Sequence, residues 1–478
     1  MIKVLINLQG FEYDIHSLVK AFYPGEDVIV SEDIKDPKFT VFFSGNQFAF
    51  TSADGGIFKS ADVTNDTARP EVKNILKRLL YNGLSEYTGK TLKWGDLTGI
   101  RPTKIPMKLL NEGKNDNEIL SYMKDTYLVS DEKAELSLDI AKREKRILDP
   151  IDTQKGYSIY IGIPFCPSTC LYCSFTSNPI SKYKEWIDEY IACIEKELAF
   201  VTSARKDKKI DTVYIGGGTP TSLSADKLES LLAAVDRYID VNALLEYTVE
   251  AGRPDSIDED KLNVMKAHKV TRISVNPQTM NDKTLKLIGR AHTSDDVIRA
   301  FGLARKAGFD NINTDIILGL PGEGEAEVRH TIDEIVKLSP DSLTVHSLAV
   351  KRGSRLHEAL DEKLFNMLNN SADIMDIAAS GAELLGLRPY YLYRQKNMVG
   401  NFENTGYARE GKYGIYNILI MEEIEPIIAL GAGSVSKVLK KDAKPERCDN
   451  VKDVDLYMAD IDAMIERKRV LFEHENEL

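Results

Sequence analysis

The chain has 478 residues, 43% hydrophobic and 28% charged, with a formal net charge of −12. This length predicts two or three folded units with real cores, and the evenly spread acidic balance argues against a nucleic-acid carrier, which needs clustered Lys and Arg. No apolar run approaches the ~20 residues of a membrane span, and MIKVLINLQG reads as a first strand, not as a signal peptide. Five cysteines are an odd count, three of them bunched, which does not suit a disulfide framework. A cytoplasmic, reducing compartment is expected.

Residues 1–60 carry the strand-like pieces IKVLINL, FTVFF and QFAFTS between polar turns. RPEVKNILKRLLYNGL then places Val72, Ile75, Leu76, Leu79 and Leu80 on one helical face. WGDLTGIRPTKIPMKLL marks a turn into another helix, and 130–148 reads as a charged helix. Residues 1–150 are therefore expected to form a small α+β domain with a helical connector. Arg101, in LTGIRPTK, reads as a solvated or salt-bridged turn residue.

From 157 the texture changes. YSIYIGI, TVYIGG, LEYTVEA, VTRISV, INTDIIL and SLTVHSL recur as strands, with amphipathic helical stretches such as 182–201 and 225–238 between them. Strand–helix alternation of this kind predicts an α/β fold with a parallel sheet. Six units can form an open, partial (β/α)6 barrel over 151–350, with chemistry at the C-terminal ends of the strands. Beyond 350, a helix near 370–386 precedes PYYLYRQKNMVGNFENTGYAREGKYGIYNI, and 452–472 reads as a helix. Residues 351–478 are expected to form a C-terminal α/β extension.

The loop after the first barrel strand, IGIPFCPSTCLYCSF, spaces Cys166, Cys170 and Cys173 as C-x3-C-x2-C. Three thiolates on one tight loop can hold three irons of a [4Fe–4S] cluster and leave the fourth iron open to a chelating small molecule. Structural zinc is the alternative, but it wants four closed ligands. Cys193 lies mid-helix and Cys448 in a polar loop. Other polar groups sit at later strand ends. Gly216, Gly217 and Gly218 allow close backbone approach to a ligand, and Thr219 adds a hydroxyl; a plain glycine turn reads equally well. Glu250 ends the third strand, and Gln278 and Arg290 follow the fourth. Asp315 lies among Ile and Leu in the fifth, where burial requires a partner. It is expected to face the barrel lumen.

The cysteine motif followed by a βα series resembles the radical S-adenosylmethionine (SAM) superfamily. More narrowly, YIGIPFC, YIGGGTP and LGLPGE resemble the oxygen-independent coproporphyrinogen III oxidase group over roughly 155–440. The resemblance implies a [4Fe–4S] cluster on the three cysteines with SAM on its open iron. It implies that Tyr160, Gly217 and Glu250 touch that SAM. Tyr172, Gly218, Thr219, Gln278, Arg290 and Asp315 match positions that hold a second SAM. Two departures stand out: Phe175 replaces a fourth cysteine, and Gly162 replaces a His. The haem-chaperone branch carries a His ligand where this chain has Lys396. YYLYRQKNMVGNFENTGYA looks most like the HemZ-type branch, which also carries an N-terminal extension.

The implied reaction is oxidative decarboxylation of two propionates of coproporphyrinogen III. The implied partners are a tetrapyrrole substrate and a reductant such as flavodoxin or ferredoxin. In YYLYRQKN, strand alternation puts Arg394 and Lys396 on one side, where cations suit tetrapyrrole carboxylates; Arg352 adds a third. A charged strand edge is the bland alternative. A SAM-dependent methylase and a haem carrier are the rival functions.

Overall fold

The computed structural model describes residues 1–99, 101–359, 362–395, 398–440 and 444–476. They form two compact units. The first is Met1–Lys145 with Leu392–Glu403, and the second is Arg146–Tyr391 with Asn404–Leu478. This grouping differs from the expected 1–150, 151–350 and 351–478. Short hydrogen-bonded strands late in the chain pair with the barrel sheet, so most of the C-terminal region belongs to the same body as the barrel.

In the first unit, β1 (Ile2–Ile6), β2 (Val28–Ser31), β3 (Phe39–Ser44), β4 (Gln47–Ser52) and β5 (Phe58–Asp62) form a sheet ordered β2-β1-β3-β4-β5. β1 runs parallel to β2 and β3, while β3, β4 and β5 are antiparallel. Alternation buries Val4, Ile6, Phe39, Val41, Phe48 and Phe50 against the helices Glu12–Phe22 and Arg69–Thr88. The long helix presents Leu76, Leu79, Leu80 and Leu84 fully buried, with Val72 and Ile75 packed at the margin. A smaller core joins Trp94, Leu97, Met123 and Ile140 to Leu392. There Trp94 Nε1 donates to Glu403 at 2.7 Å, and Lys133 pairs with the other oxygen of Glu403 at 2.7 Å.

The second unit is built on an eleven-stranded sheet. Its strands are β6 (Gly156–Ile163), β7 (Lys209–Gly217), β8 (Glu246–Glu250), β9 (Arg272–Ser274), β10 (Ile312–Leu318), β11 (Ser342–Ser347), β12 (Arg388–Tyr393), β13 (Asn404–Ala408), β14 (Ile427–Leu430), β15 (Val435–Val438) and β16 (Glu446–Asp449). Their order is β12-β13-β11-β10-β9-β8-β7-β6-β14-β15-β16. β6 to β11 are the six expected strands, all parallel, with helices such as Ile187–Ala204, Ala225–Tyr238 and Ser294–Lys306 between them. The return strands extend both edges: β13 lies antiparallel to β11, and β14 lies parallel to β6. No helix among the described residues is long and apolar enough to cross a membrane.

The period of two divides the barrel strands sharply. Ile159, Ile161, Val213, Ile215, Val249, Ile273 and Val345 share the outer face and are buried. Tyr160, Tyr214, Thr248, Arg272, Asn313 and Asp315 alternate with them on the inner face. A buried polar face is stable only if its groups pair with one another. Arg272 Nη2 donates to Ser342 Oγ at 3.0 Å, Ser342 Oγ to Asn313 Oδ1 at 3.0 Å, and Asn313 Nδ2 to Asp315 Oδ1 at 2.7 Å.

A second buried network ties the chain's end to the first barrel helix. Lys468, on the helix Ile461–Asn476, pairs with Glu197 on Ile187–Ala204. Glu197 also accepts from Tyr457 OH at 2.6 Å, Gly431 N at 2.8 Å and Asn450 Nδ2 at 3.0 Å. Breaking a buried pair from one side leaves an uncompensated charge, at a cost of about 3–5 kcal/mol. Lys468→Ala should therefore lower the unfolding free energy of the second unit by an amount of that order, read as a fall in its urea midpoint. Adding Glu197→Gln should recover part of the loss, since a neutral amide oxygen still accepts from Tyr457 and Gly431. Unchanged unfolding in Lys468→Ala would contradict this account.

Candidate functional site

The cysteine loop leaves the C-terminal end of β6 and is pinned by backbone bonds at both margins. Gly218 N donates to Ile163 O, and Thr219 N to Phe165 O, each at 2.8 Å. Further on, Leu171 N donates to Ile288 O at 2.9 Å, and Leu171 O accepts from Leu356 N at 2.7 Å. Cys166, Cys170 and Cys173 are all free thiols, the first two buried. Cys166 Sγ lies 3.4 Å from Thr219 Oγ1. Burial pushes the Cys166 thiol up to about 11 against that contact, and burial also raises Cys173. Thiols in such a setting become thiolates only with positive charge beside them, as iron supplies. Among the described residues, no three His, Cys, Asp or Glu side chains gather round a point that one ion could occupy.

The glycine turn has to be glycine. Gly217 sits at φ +107°, a conformation that side chains resist, and a Cβ there would meet Tyr160 OH at 3.2 Å. A Cβ on Gly218 would lie 2.5 Å from Phe165 O, inside the cysteine loop's own backbone. One on Gly216 would lie 3.0 Å from the Glu250 carboxyl carbon. The turn therefore brings β7, β8 and the cysteine loop together.

Glu250 accepts from Tyr214 OH at 2.5 Å. Tyr214 stacks on Tyr416, with centroids 4.5 Å apart, and Tyr160 lies parallel to both. Burial pushes Glu250 up to about 7; the Tyr214 hydrogen bond opposes the rise and the charge on Asp315 adds to it. Asp315 behaves oppositely. Burial works against its ionisation, but His346, with Nε2 at 3.8 Å, and the hydrogen bond from Asn313 outweigh it and hold the carboxyl below its ordinary value. Two carboxyls on one inner face are thus shifted in opposite directions.

Gln278 lies beside Asp315, where its N donates to Asp315 O at 3.0 Å and its O accepts from Ile317 N at 2.9 Å. It adopts φ +69°, unusual for a non-glycine residue, and is buried, yet its side-chain Oε1 has no hydrogen-bond partner. A positive φ in a non-glycine residue together with a buried acceptor left unmatched points to a functional constraint at this position. Arg290 closes the ring. It donates to Tyr172 OH from Nε and Nη2 at 3.3 and 3.2 Å, and to Asn276 O at 2.7 Å. Asn276 in turn accepts from Asp315 N at 3.2 Å.

The structure thus gathers Cys166, Cys170, Cys173, Tyr160, Tyr172, Gly217, Gly218, Thr219, Glu250, Gln278, Arg290 and Asp315 around the strand ends of one unit. Arg352 is exposed on the segment after β11 whose Leu356 holds Leu171. Arg394, expected to meet a substrate carboxylate, belongs to the first unit instead. It is buried, donates to Leu97 O at 2.5 Å and Asn401 Oδ1 at 2.9 Å, and lies over the Trp94 ring. Its guanidinium is committed to that core, so its cation serves the fold. Lys396 lies outside the described residues. Sequence reasoning passed over Tyr214, Tyr416, Asn276, His346 and Arg253. Tyr214 was readable, since it shares a face with Gly216 two residues on in β7. Tyr416 carried no signal, because it arrives from a segment far along the chain.

Comparison with known proteins places this arrangement. The model of the radical SAM superfamily matches residues 160–335. The chain is 42% identical to the oxygen-independent coproporphyrinogen-III oxidase-like protein HemZ of Bacillus subtilis, over 80% of this chain and 78% of that protein. The chain belongs to the radical SAM superfamily, in its HemZ-type branch. It is also 32% identical to the heme chaperone HemW of Bacillus subtilis, over 54% of this chain and 68% of the chaperone. Among solved structures, coproporphyrinogen III oxidase (HemN) from Escherichia coli shares the fold, with TM-score 0.52 and 19% identity over 65% of this chain and 70% of that one. Membership of the superfamily implies a [4Fe–4S] cluster and SAM, and the strand-end residues of this radical SAM chain fit both.

Two outcomes follow from the geometry. Gly218→Ala forces Cβ into the Phe165 carbonyl, an overpacking cost of about 1–3 kcal/mol borne by the cysteine loop. Anaerobic reconstitution of that variant should incorporate clearly less iron and sulfide than the wild type. Glu250 has a folded value of about 7 against an ordinary 4.5. A raised carboxyl contributes stability that is present below its unfolded value and lost as pH climbs through the folded one. Ligand-free protein should therefore lose stability between about pH 4.5 and 7, and Glu250→Gln should flatten that part of the melting-temperature profile.

Proposed function

We propose that the chain is a radical SAM oxidoreductase that decarboxylates two propionates of coproporphyrinogen III to vinyl groups, giving protoporphyrinogen IX. The observation that carries the reading is the orphaned acceptor of Gln278, a positive-φ residue whose backbone is bonded to that of Asp315. The HemZ relative's name supports the tetrapyrrole class. In this reading Cys166, Cys170 and Cys173 hold the cluster. Tyr160, Gly217 and Glu250 face the SAM on it. Tyr172, Gly218, Thr219, Gln278, Arg290 and Asp315 hold a second SAM. Ionised Asp315 suits a cationic or hydroxyl-bearing part of that ligand, and Gln278 Oε1 accepts from one of its N–H or O–H groups. Exposed Arg352 is a cation for a propionate, and Lys396 is a second.

Cys166, Cys170 and Cys173 would hold the cluster, and with SAM it would supply the radical chemistry for removing a hydrogen atom from each propionate; an external one-electron acceptor would balance the loss of each carbon dioxide. The chain's residues position the reactants and keep water from the strand ends. A haem-carrying role is the second reading. Phe175 favours it, since that position in porphyrinogen oxidases holds a fourth cysteine and here is an aromatic 68% exposed.

Anaerobic incubation with SAM, a reductant and coproporphyrinogen III, read by chromatography, tests the proposal. Wild-type protein should yield 5′-deoxyadenosine and protoporphyrinogen together. Replacing Cys166, Cys170 or Cys173 by Ala should abolish the cluster and both products, whereas Cys193→Ala should not. Gln278→Ala and Asp315→Ala should keep the cluster and bind SAM roughly 10- to 100-fold more weakly, the loss of a charged or buried hydrogen bond. SAM cleavage without porphyrin product would sink the substrate assignment. Tight stoichiometric haem binding in that case would favour the carrier.

A further inference from the structure

Arg253 is a buried cation directly behind the cysteine loop. It stands three residues beyond Glu250, before the turn Pro254–Ser256, and is 3% exposed. A guanidinium is costly to bury unless its donors are matched, and here each nitrogen has an acceptor. Nε and Nη2 form a two-pronged bond with Asp255 at 3.1 and 2.9 Å. Nη1 donates to the Ser168 carbonyl at 3.0 Å and to its hydroxyl at 2.9 Å. Ser168 is the middle of the three residues between Cys166 and Cys170. Its hydroxyl donates onward to Gly289 O at 3.2 Å, next to Arg290. The Arg253 carbonyl is itself held by Ser256 Oγ at 2.7 Å, and Ser256 Oγ meets Thr221 Oγ1 at 2.7 Å. The loops after β7 and β8 and the turn before Arg290 therefore converge on one peptide of the cysteine loop.

A neutral donor would suffice to hold a peptide; Arg253 adds a charge, which Asp255 offsets along the far edge while Nη1 faces the loop. We propose that Arg253 is a positioning residue for the iron–sulfur cluster, fixing the peptide between the first two cysteines while its buried charge favours the reduced state. The proposal rests on the assignment of the three cysteines to the cluster. Reduction adds one negative charge to a cluster already held by three thiolates, and a cation in a low-dielectric setting stabilises the more negative state. Asp255 takes the opposite edge of the guanidinium, leaving Nη1 as the edge that faces the loop.

Reconstituted wild-type, Arg253→Gln, Arg253→Lys and Ser168→Ala proteins test this through iron and sulfide content, the rate of iron loss to a chelator, and the cluster's midpoint potential followed by electron paramagnetic resonance. Arg253→Gln should lose iron faster and have a more negative midpoint than wild type. Arg253→Lys should keep a near wild-type midpoint but lose iron faster, because an ammonium cannot reproduce the fork. Ser168→Ala should leave the midpoint unchanged. A wild-type midpoint in Arg253→Gln overturns the proposal. If that variant does not fold, Arg253→Lys decides: wild-type iron retention overturns the positioning role, and faster loss at an unchanged midpoint supports it. Wild-type protein that takes up no cluster would overturn the cysteine assignment as well, whereas a normal cluster indifferent to Arg253 overturns this proposal alone.

Discussion

Two backbone hydrogen bonds, from Gly218 N to Ile163 O and from Thr219 N to Phe165 O, govern the geometry of the site. They bind the turn after the second barrel strand to the root of the cysteine loop. Because they are backbone bonds, they depend on close approach, and close approach depends on missing Cβ atoms at Gly216, Gly217 and Gly218. The Thr219 hydroxyl then lands beside Cys166 Sγ. One short glycine run thus sets the cysteine loop and the inner-face carboxyl Glu250 relative to each other. Parallel strands need this kind of stitching, since their ends otherwise leave unpaired peptide groups.

The inner face of the barrel is polar and half-buried to buried, which is an expensive arrangement unless it is well connected. Most of it is. Arg272, Ser342, Asn313 and Asp315 form one chain of bonds, and Thr344 Oγ1 joins it at Asn313 Oδ1, 3.2 Å away. Arg272 Nε and Gln278 Oε1 are left without partners. The opposite shifts of Glu250 and Asp315 follow from the same layout: Asp315 has His346 and Asn313 as partners, whereas Glu250 lies among tyrosine rings and feels the charge on Asp315.

Much of this was legible in the residues. All six barrel strands are the runs that alternation marked, because a parallel strand covered by helices reads as a strong apolar pattern. The cysteine motif and the glycine run are local in sequence, so their meeting needed only the βα order. The helix Glu12–Phe22 and the strands Val28–Ser31 and Phe58–Asp62 were missed. The strands are short and half-exposed, and the helix begins at Phe11 without a side-chain cap. Arg394 misled for a different reason. Its alternation with Tyr393 was sound as far as β12 reaches, but the strand ends at Tyr393, and the residues that follow enter the first unit's Trp94 core. A cation in an aromatic-rich strand looks the same in sequence whether its partner is a ligand or a peptide carbonyl.

The hardest feature to foresee is the closure of the barrel by the segment after β13. Ile415 N donates to the buried Glu246 carboxylate, and the next residue, Tyr416, enters the tyrosine stack beside Glu250. Neither residue has a periodic signature of its own, since Ile415–Glu422 is a two-turn helix apolar on most sides. Its fit is dictated by what the barrel strands lack. A six-stranded open sheet leaves the inner face of β6 and β7 without a facing strand, and two large rings there, Tyr160 and Tyr214, need an apolar partner. Tyr416 supplies it while Glu246 matches the helix's exposed first N–H groups with negative charge. Closure thereby strips water from Glu250 and raises its proton affinity, so a packing event far along the chain sets the chemistry of a strand-end carboxyl.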